Sequence, residues 1–184
     1  MNRTEIEIKL NKDRAWTLET WAAYPAEDLT CGITISRHNP EFSWSAKDHL
    51  AHLAGIEAVF NTIIKKYLAG DPNPISIMKN PDGTAPPREE IMAKVHALND
   101  EWVNQHHGKT FNEIVALGQQ IRSATLSLLA ELSDAQLEEK IPGAPWGDGT
   151  IGGILAINGD HAKQHYGWVT AGLARQADEK NHAE

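Results

Sequence analysis

The segment from Ser45 to Gly70 constrains the fold of this chain more than any other. Steps of three and four residues separate its large apolar side chains, which are Leu50, Leu53, Ile56, Val59, Phe60, Ile63, Ile64 and Tyr67. Such steps place side chains on one face of an α-helix, because a helical turn takes 3.6 residues. Ser45 with Asp48 three residues later has the form of a capping box. The segment therefore predicts a long amphipathic helix whose apolar face needs partners.

Three further principal helices are predicted around it, each from a cap and an apolar period. The first follows the pattern Thr4-Glu5-Ile6-Glu7 and ends near Tyr24-Pro25, the third opens at Thr110-Phe111-Asn112-Glu113, and the last is capped by Thr150. A shorter helical stretch runs from Arg88 to Gly108, and 133–137 predicts one short turn of helix. The segment 25–43 is predicted to be a loop. No stretch shows the strict alternation that is typical of a strand.

The segment 71–87 predicts a long irregular connection between the second and third principal helices. It contains five prolines, namely Pro72, Pro74, Pro81, Pro86 and Pro87, and proline cannot continue a helix or a strand ladder. We therefore predict an all-α fold, a four-helix bundle with a long crossover between helices 2 and 3, in one domain over 1–184. Facing helices of such bundles commonly build metal sites from inward side chains.

Composition excludes several classes of function. The 184 residues carry 17 Lys and Arg against 25 Asp and Glu, a formal net charge of -8, so no general basic surface is available for a nucleic acid. One cysteine, Cys31, allows no disulfide framework. No apolar run has the length of a membrane span, and the first residues lack a signal peptide's apolar core. We expect a cytoplasmic protein with no nucleic-acid or membrane partner.

Histidines carry the strongest chemical signal. His161 and His165 are four residues apart within the apolar stripe of the last helix, so both imidazoles should point inward and could share one cation. His49 and His52 flank the stripe of the second helix, and periodicity alone does not say which of them would complete a three-histidine site. Three neutral imidazoles with an open position suit a catalytic divalent metal. The alternative is a set of core histidines bonded to backbone carbonyls.

The run Trp44-Ser45-Ala46-Lys47-Asp48-His49-Leu50-Ala51-His52-Leu53-Ala54-Gly55 resembles the signature of the DinB/YfiT-like superfamily. That superfamily includes the N-terminal domain of mycothiol-dependent maleylpyruvate isomerase. The resemblance extends to the C-terminal histidine pair and to the order of helices. It implies a four-helix bundle whose metal is held by the histidine eight residues after the tryptophan and by two residues of the last helix. Those positions are His52, His161 and His165. The isomerase branch has an acidic residue where this chain has His161.

The resemblance implies a metal-dependent enzyme with a small-molecule substrate. A homodimer is also expected. We expect a divalent transition metal, zinc or nickel before others, and a low-molecular-weight thiol such as mycothiol or bacillithiol in an S-transferase or isomerase. The alternatives are a metal-dependent hydrolase and a non-catalytic ligand-binding or stress-response module. There are three weaker candidates near the site. His49 and Asp160 are expected to orient one of the metal-binding imidazoles, and Trp146 is expected to line the mouth of the pocket.

Overall fold

The structure is a computed structural model and describes residues 1–80 and 82–183. Its helices are α1 (Arg3–Ala22), α2 (Ala26–Thr30), α3 (Ala46–Leu68), α4 (Arg88–His106), α5 (Phe111–Glu131), α6 (Asp134–Glu138), α7 (Ile151–Ala156) and α8 (Asn158–Ala183). Two short strands, β1 (Thr34–Ile35) and β2 (Ser43–Trp44), and one 3₁₀ turn (Ser76–Met78) complete the regular structure of this part of the chain. Within it, no helix combines the length and the apolar character that crossing a bilayer requires.

The four long helices α1, α3, α5 and α8 pack together as a bundle, which confirms the predicted all-α fold. Helix α3 contacts each of the other three, and α4, within the long crossover, packs against α3 as a fifth helix. One apolar cluster fills the bundle around Leu10, Ile64 and Leu129. A second surrounds Trp21, Leu50 and other side chains near the start of α3. The second cluster supports the segment in which His49 and His52 lie.

The capping boxes at Ser45 and Thr110 form as predicted. The side chain of Ser45 accepts a hydrogen bond from the backbone N–H of Asp48, and the Asp48 carboxylate accepts one from the N–H of Ser45. The first helix begins earlier than predicted, because Asn2 rather than Thr4 caps it and pairs with Glu5. Capping fixes the first turn of α3, and it therefore fixes where the histidines of that turn point.

The predicted loop 25–43 contains a short helix and half of a hairpin, so the prediction of no strands was wrong. Strands β1 and β2 pair antiparallel, with Thr34 opposite Trp44. Strands of two residues are too short to show an alternating pattern, so their pairing depends on what they pack against. Gly172 of α8 lets this hairpin approach, because a Cβ at that position would collide with the side chain of Ile33.

The predicted last helix is divided at Ile157 into α7 and α8. Thr150 caps α7, since its side chain accepts from the N–H of Gly153. Glycine has a low helix propensity, and Gly159 lies where any Cβ would collide with the carboxylate of Asp13 on α1. The close approach of α1 therefore explains a break that the apolar period does not reveal. His161 and His165 lie in the first two turns of α8, just after this break.

A buried ion pair joins α3 to α5 in the middle of the bundle. Arg122 donates to both carboxylate oxygens of Glu57, from Nε to Oε1 at 2.6 Å and from Nη2 to Oε2 at 2.9 Å. Thr125 donates a third hydrogen bond to Glu57 at 2.6 Å, and Arg122 also donates to the carbonyl of Leu10 on α1. Each charged group is at most 6% exposed and has its partner in bidentate geometry. This cluster ties three of the four bundle helices together.

Candidate metal centre

Four histidines from two helices meet beside the second apolar cluster. His49 and His52 lie in the first two turns of α3, and His161 and His165 lie in the first two turns of α8. His49, His52 and His165 are buried at 2%, 4% and 3% exposure, and His161 is half-buried. The packing of α3 against α8 brings the two pairs together although more than a hundred residues separate them in the chain.

The ring nitrogens of His52, His161 and His165 converge on one point. One nitrogen of each residue lies within 4.8 Å of the others, and His161 Nε2 is 3.0 Å from His165 Nε2. Two nitrogens bound tetrahedrally at 2.0–2.1 Å from one ion lie about 3.3 Å apart. The separations are therefore close to those of a coordination sphere, and three imidazoles are a donor set that suits zinc, nickel or copper. This group could hold a metal ion.

Burial keeps all four imidazoles neutral near pH 7. The pKa of His49 is lowered to about 4 by desolvation, against a smaller raising effect of the Asp48 charge. Desolvation, followed by the neighbouring imidazoles, lowers the pKa values of His52 and His165 well below the ordinary value, and burial also lowers that of His161. A neutral imidazole is the form that binds a metal. The site is therefore in its metal-binding form without any further deprotonation.

His49 lies behind the three-histidine group, and not within it. Its Nδ1 is 2.7 Å from Nδ1 of His165, and its Nε2 is 2.7 Å from the hydroxyl of Thr34 on β1. These two hydrogen bonds link the hairpin, through Thr34 and His49, to Nδ1 of His165, which is the ring nitrogen that does not contact His161. Sequence periodicity left the roles of His49 and His52 open, and the direction of the two side chains separates them.

Two tryptophans border the histidines. The ring of Trp44 lies 5.4 Å from that of His49 and 5.1 Å from that of His52, and Trp168 lies 4.6 Å from His165. Trp44 Nε1 donates at 3.0 Å to Asp100 of α4, and the hydroxyl of Ser36 donates to the other oxygen of the same carboxylate. Asp100 is 4% exposed, so these bonds lock the hairpin onto α4.

Most of the residues that surround the histidines were not predicted from the sequence. Trp168 follows His165 by three residues, and that spacing places it on the same side of α8, so its position was within reach of a periodicity argument. Thr34 and Asp100 had no such signal. Their partners lie 15 to 64 residues away in the chain, and only tertiary packing brings them together.

Two other weaker candidates lie away from the histidines. The carboxylate of Asp160 is 66% exposed and lies 3.7 Å from Lys163 and 3.9 Å from Lys9, so it orients no imidazole. Its position on α8 turns it toward α1. Trp146 packs against Phe60 with ring centroids 5.0 Å apart, on the edge of the first apolar cluster, and does not line the site. The loop before α7 turns toward the core of the bundle rather than toward α4.

A cavity of about 800 Å³ opens beside the metal-ligand candidates. The hairpin, the start of α3, α4 and α8 form its walls. Its lining includes all four histidines of the cluster and the apolar side chains of Ile35, Trp44, Met92, Val95 and Trp168. The charged side chains on its wall, besides histidine, are Arg37, Asp100, Arg175 and Glu179. The volume is that of a site for a small molecule.

Comparisons with known proteins agree with this architecture. The family model of the DinB superfamily matches residues 9–169, which span all the histidines of the cluster. A solved structure of an uncharacterised protein from Escherichia coli UTI89 has the same fold, with a TM-score of 0.65 and 15% sequence identity over 96% of this chain and 95% of that one. No curated protein sequence matches the chain significantly.

Proposed function

We propose that this chain, which belongs to the DinB superfamily, is a metal-dependent enzyme that transfers a low-molecular-weight thiol to an electrophilic small molecule. One observation carries the proposal. Three neutral imidazoles, from His52, His161 and His165, place their nitrogens within 4.8 Å of one another on the wall of a cavity of about 800 Å³. A closed structural site would need a fourth protein ligand, whereas three ligands facing a cavity leave a position for a substrate.

A divalent cation such as Zn²⁺ or Ni²⁺, when bound by these three nitrogens, would supply Lewis-acid chemistry that lowers the pKa of a thiol in the cavity. The chain's own residues hold the ligands in place. If His165 binds through Nε2, its Nδ1 carries the proton and donates to His49 Nδ1, which leaves the Nε2 proton of His49 to be donated to Thr34. This chain of hydrogen bonds fixes the tautomer and the ring plane of His165.

The carboxylates that line the cavity are not placed to assist an attacking water. The described carboxylates of the cavity are Asp100, whose two oxygens accept from Ser36 and Trp44, and Glu179, which follows His165 by fourteen residues or about 21 Å along α8. Neither can act as the general base that assists water in many zinc hydrolases. A thiol with a lowered pKa needs no such base, and neither does water on the same ion, so the assay described below distinguishes the two nucleophiles. In the transfer, the thiol first releases its proton to solvent, and its sulfur then forms an S–C bond while the leaving group departs with the electron pair of the bond that breaks.

A panel of thiols and electrophiles tests the proposal. Protein loaded with Zn²⁺ or Ni²⁺ is assayed against the panel in parallel with His52→Ala and with His38→Ala, a control histidine on the exposed turn after β1. We expect thiol-dependent turnover in the loaded protein and in the control, and its loss in His52→Ala. Product analysis by mass spectrometry identifies the new thioether.

The two alternatives give different results in the same panel. Turnover that needs no thiol but is lost in His52→Ala would support a metal-dependent hydrolase. Ligand binding without turnover of any substrate pair would support a non-catalytic binding module. Either result would contradict the transferase.

A further inference from the structure

We infer that the cavity binds a carboxylate-bearing small molecule, whose carboxylate is held by Arg37 and Arg175 at a distance from the histidines. The inference rests on the proposed function, because it names the substrate class of the same cavity. The arginines belong to different elements. Arg37 follows β1 by two residues, and Arg175 lies in the second half of α8, yet both line the cavity.

Both guanidinium groups are without a protein partner. Neither donates a hydrogen bond nor lies within ion-pair distance of an acidic group among the residues that the structure describes. Arg3, Arg14 and Arg122 each donate to a carbonyl or carboxylate of the bundle, whereas Arg37, Arg175 and Arg88 are exposed, and only the first two of these line the cavity. A guanidinium presents a planar fork of donors that matches a carboxylate, so an unpaired one on a cavity wall is suited to bind an anion.

The cavity has as many carboxylates as arginines, but neither carboxylate forms an ion pair with Arg37 or Arg175 among the described residues. Asp100 is buried and accepts from Ser36 and Trp44. Glu179 lies one turn after Arg175 but makes no ion pair within 4.0 Å in the described part of the chain. The chain as a whole has a formal charge of -8. Two unpaired arginines at one cavity therefore stand out against an acidic surface and would attract an anionic ligand.

Spacing along the sequence places both arginines away from the end of the cavity where the histidines lie. Arg175 follows His165 by ten residues, which is about 15 Å along the axis of α8. Arg37 follows Thr34, the partner of His49, by three residues, or about 10 Å of extended chain. Apolar side chains, including Trp168 and Met92, line the wall as well. The cavity thus fits an elongated ligand with a reactive group at one end, an apolar body, and a carboxylate at the other end.

Either the thiol or the electrophile could carry this carboxylate, and matched probes distinguish the two sources. The thiol pair is glutathione and its diethyl ester. The electrophile pair is 4-chloro-3,5-dinitrobenzoate and its methyl ester, with rates corrected for the uncatalysed reaction. Thiol binding is followed by the sulfur-to-cobalt absorption band of Co²⁺-loaded protein, which does not depend on turnover, and the electrophiles are compared by their KM values.

The variants are Arg37→Gln, Arg175→Gln and the matched control Arg88→Gln. Arg88 is exposed at the first residue of α4, has no partner among the described residues, and does not line the cavity. We expect the charged member of one pair to bind about tenfold or more tightly than its ester, as hydrogen bonds to charged groups typically give. Each cavity variant should reduce that preference about tenfold, and the control should leave it unchanged.

Equal binding of acid and ester in both pairs would overturn the inference, and so would an Arg88→Gln effect as large as that of the cavity variants. If the cobalt band forms equally with glutathione and its diethyl ester, and the two electrophiles also have equal KM values, the proposed function stands and only the inference fails. A loaded protein that shows no band with any thiol would contradict the proposed function. The acid and ester of each pair are then compared by isothermal titration calorimetry, and the same preference decides the inference by itself.

Discussion

Helix α3 carries two buried polar clusters. The upper cluster consists of His49, His52, His161 and His165, and the lower cluster consists of Glu57, Arg122 and Thr125. His52 and Glu57 lie about 8 Å apart along the axis of α3. In the lower cluster, Glu57 accepts two hydrogen bonds from Arg122 and one from Thr125, so each charge has its opposite within 3 Å. In the upper cluster, among the residues that the structure describes, the rings of His49, His161 and His165 hydrogen bond only with one another and with Thr34, the ring of His52 makes no hydrogen bond, and no carboxylate bonds to any of the four.

The contrast separates a cluster whose charges are paired by protein atoms from one that consists of neutral nitrogen donors. Buried polar groups are costly unless they are paired, and the pairing of Glu57 with Arg122 meets that requirement with protein atoms alone. The histidines bring several nitrogen lone pairs to one point, where they can only share protons or bind a cation. The first arrangement stabilises the bundle, and the second is suited to bind a ligand.

Lowering the pH should reduce the free energy of unfolding through the histidine cluster, and this is the largest change that we expect. The pKa of His49 is about 4 in the folded protein and about 6.5 in the unfolded chain, so the unfolded chain binds more protons as the pH falls from 6.5 to 4. His49 alone then lowers the free energy of unfolding by about 3 kcal/mol over that window, and the other three histidines add to it. Urea titrations of metal-free protein at pH 7, 6 and 5 measure the slope.

A free energy of unfolding that stayed constant between pH 7 and 5 would show that the histidines bind protons as readily in the folded protein as in the unfolded chain. The comparison between a neutral and an ionic cluster would then fail.

Breaking the ion pair tests the lower cluster. Arg122→Met leaves the Glu57 carboxylate buried with only Thr125 as a hydrogen-bond donor, and such a change typically costs about 3–5 kcal/mol of unfolding free energy. Metal binding should persist. Chemical denaturation and a metal titration of the variant measure both. Adding Glu57→Leu to Arg122→Met removes the unpaired charge, so most of the stability should return. A double variant less stable than the single one would contradict this account.

Removing a metal ligand from the upper cluster should weaken metal binding more than it lowers the free energy of unfolding. His52→Ala takes one of three nitrogens from the site, and we expect Zn²⁺ affinity to fall by about 100-fold or more, as loss of even an orienting partner costs 10–100-fold. Competition with a chromophoric chelator measures the affinity. His38→Ala is the control. If His52→Ala bound zinc as tightly as the wild type, the ion would sit elsewhere.

The cap that fixes the first turn of α3 should matter moderately. Ser45→Ala removes a side-chain hydrogen bond to the Asp48 N–H and should cost about 1–2 kcal/mol, because Ser45 is 1% exposed. Thr110→Ala at the exposed cap of α5 is the matched control and should cost less. Thermal unfolding of both variants compares them. An equal cost at the two caps would show that burial adds nothing at Ser45.

Metal removal should have the smallest structural effect. The two apolar clusters pack without any contribution from the ion, so dialysis against EDTA should leave the far-ultraviolet circular dichroism unchanged. The melting temperature should rise on reloading, since a ligand that binds only the folded state stabilises it. A loss of helical signal in EDTA would make the ion structural.

The sequence predicted the parts of the site that lie on long helices. Four-residue spacing placed His161 and His165 together, and the apolar period of α3 placed His49 near the centre of its apolar stripe and His52 at the edge of that stripe. The roles of the latter two depended on side-chain direction, which the hydrogen bond between His49 and Thr34 shows and periodicity does not. The hairpin and its link to Asp100 join segments 56 and 64 residues apart, and no local pattern encodes such contacts.

The most direct test of the three-histidine site is zinc K-edge X-ray absorption of protein loaded with one equivalent of Zn²⁺. We expect three imidazole nitrogens at about 2.0–2.1 Å from the zinc ion and one further light atom from solvent. When a thiol is added, a sulfur at about 2.3 Å should replace that light atom. The same spectrum from His52→Ala should show fewer imidazole shells. A wild-type spectrum with four protein ligands, or with fewer than three imidazoles, would contradict an open three-histidine centre.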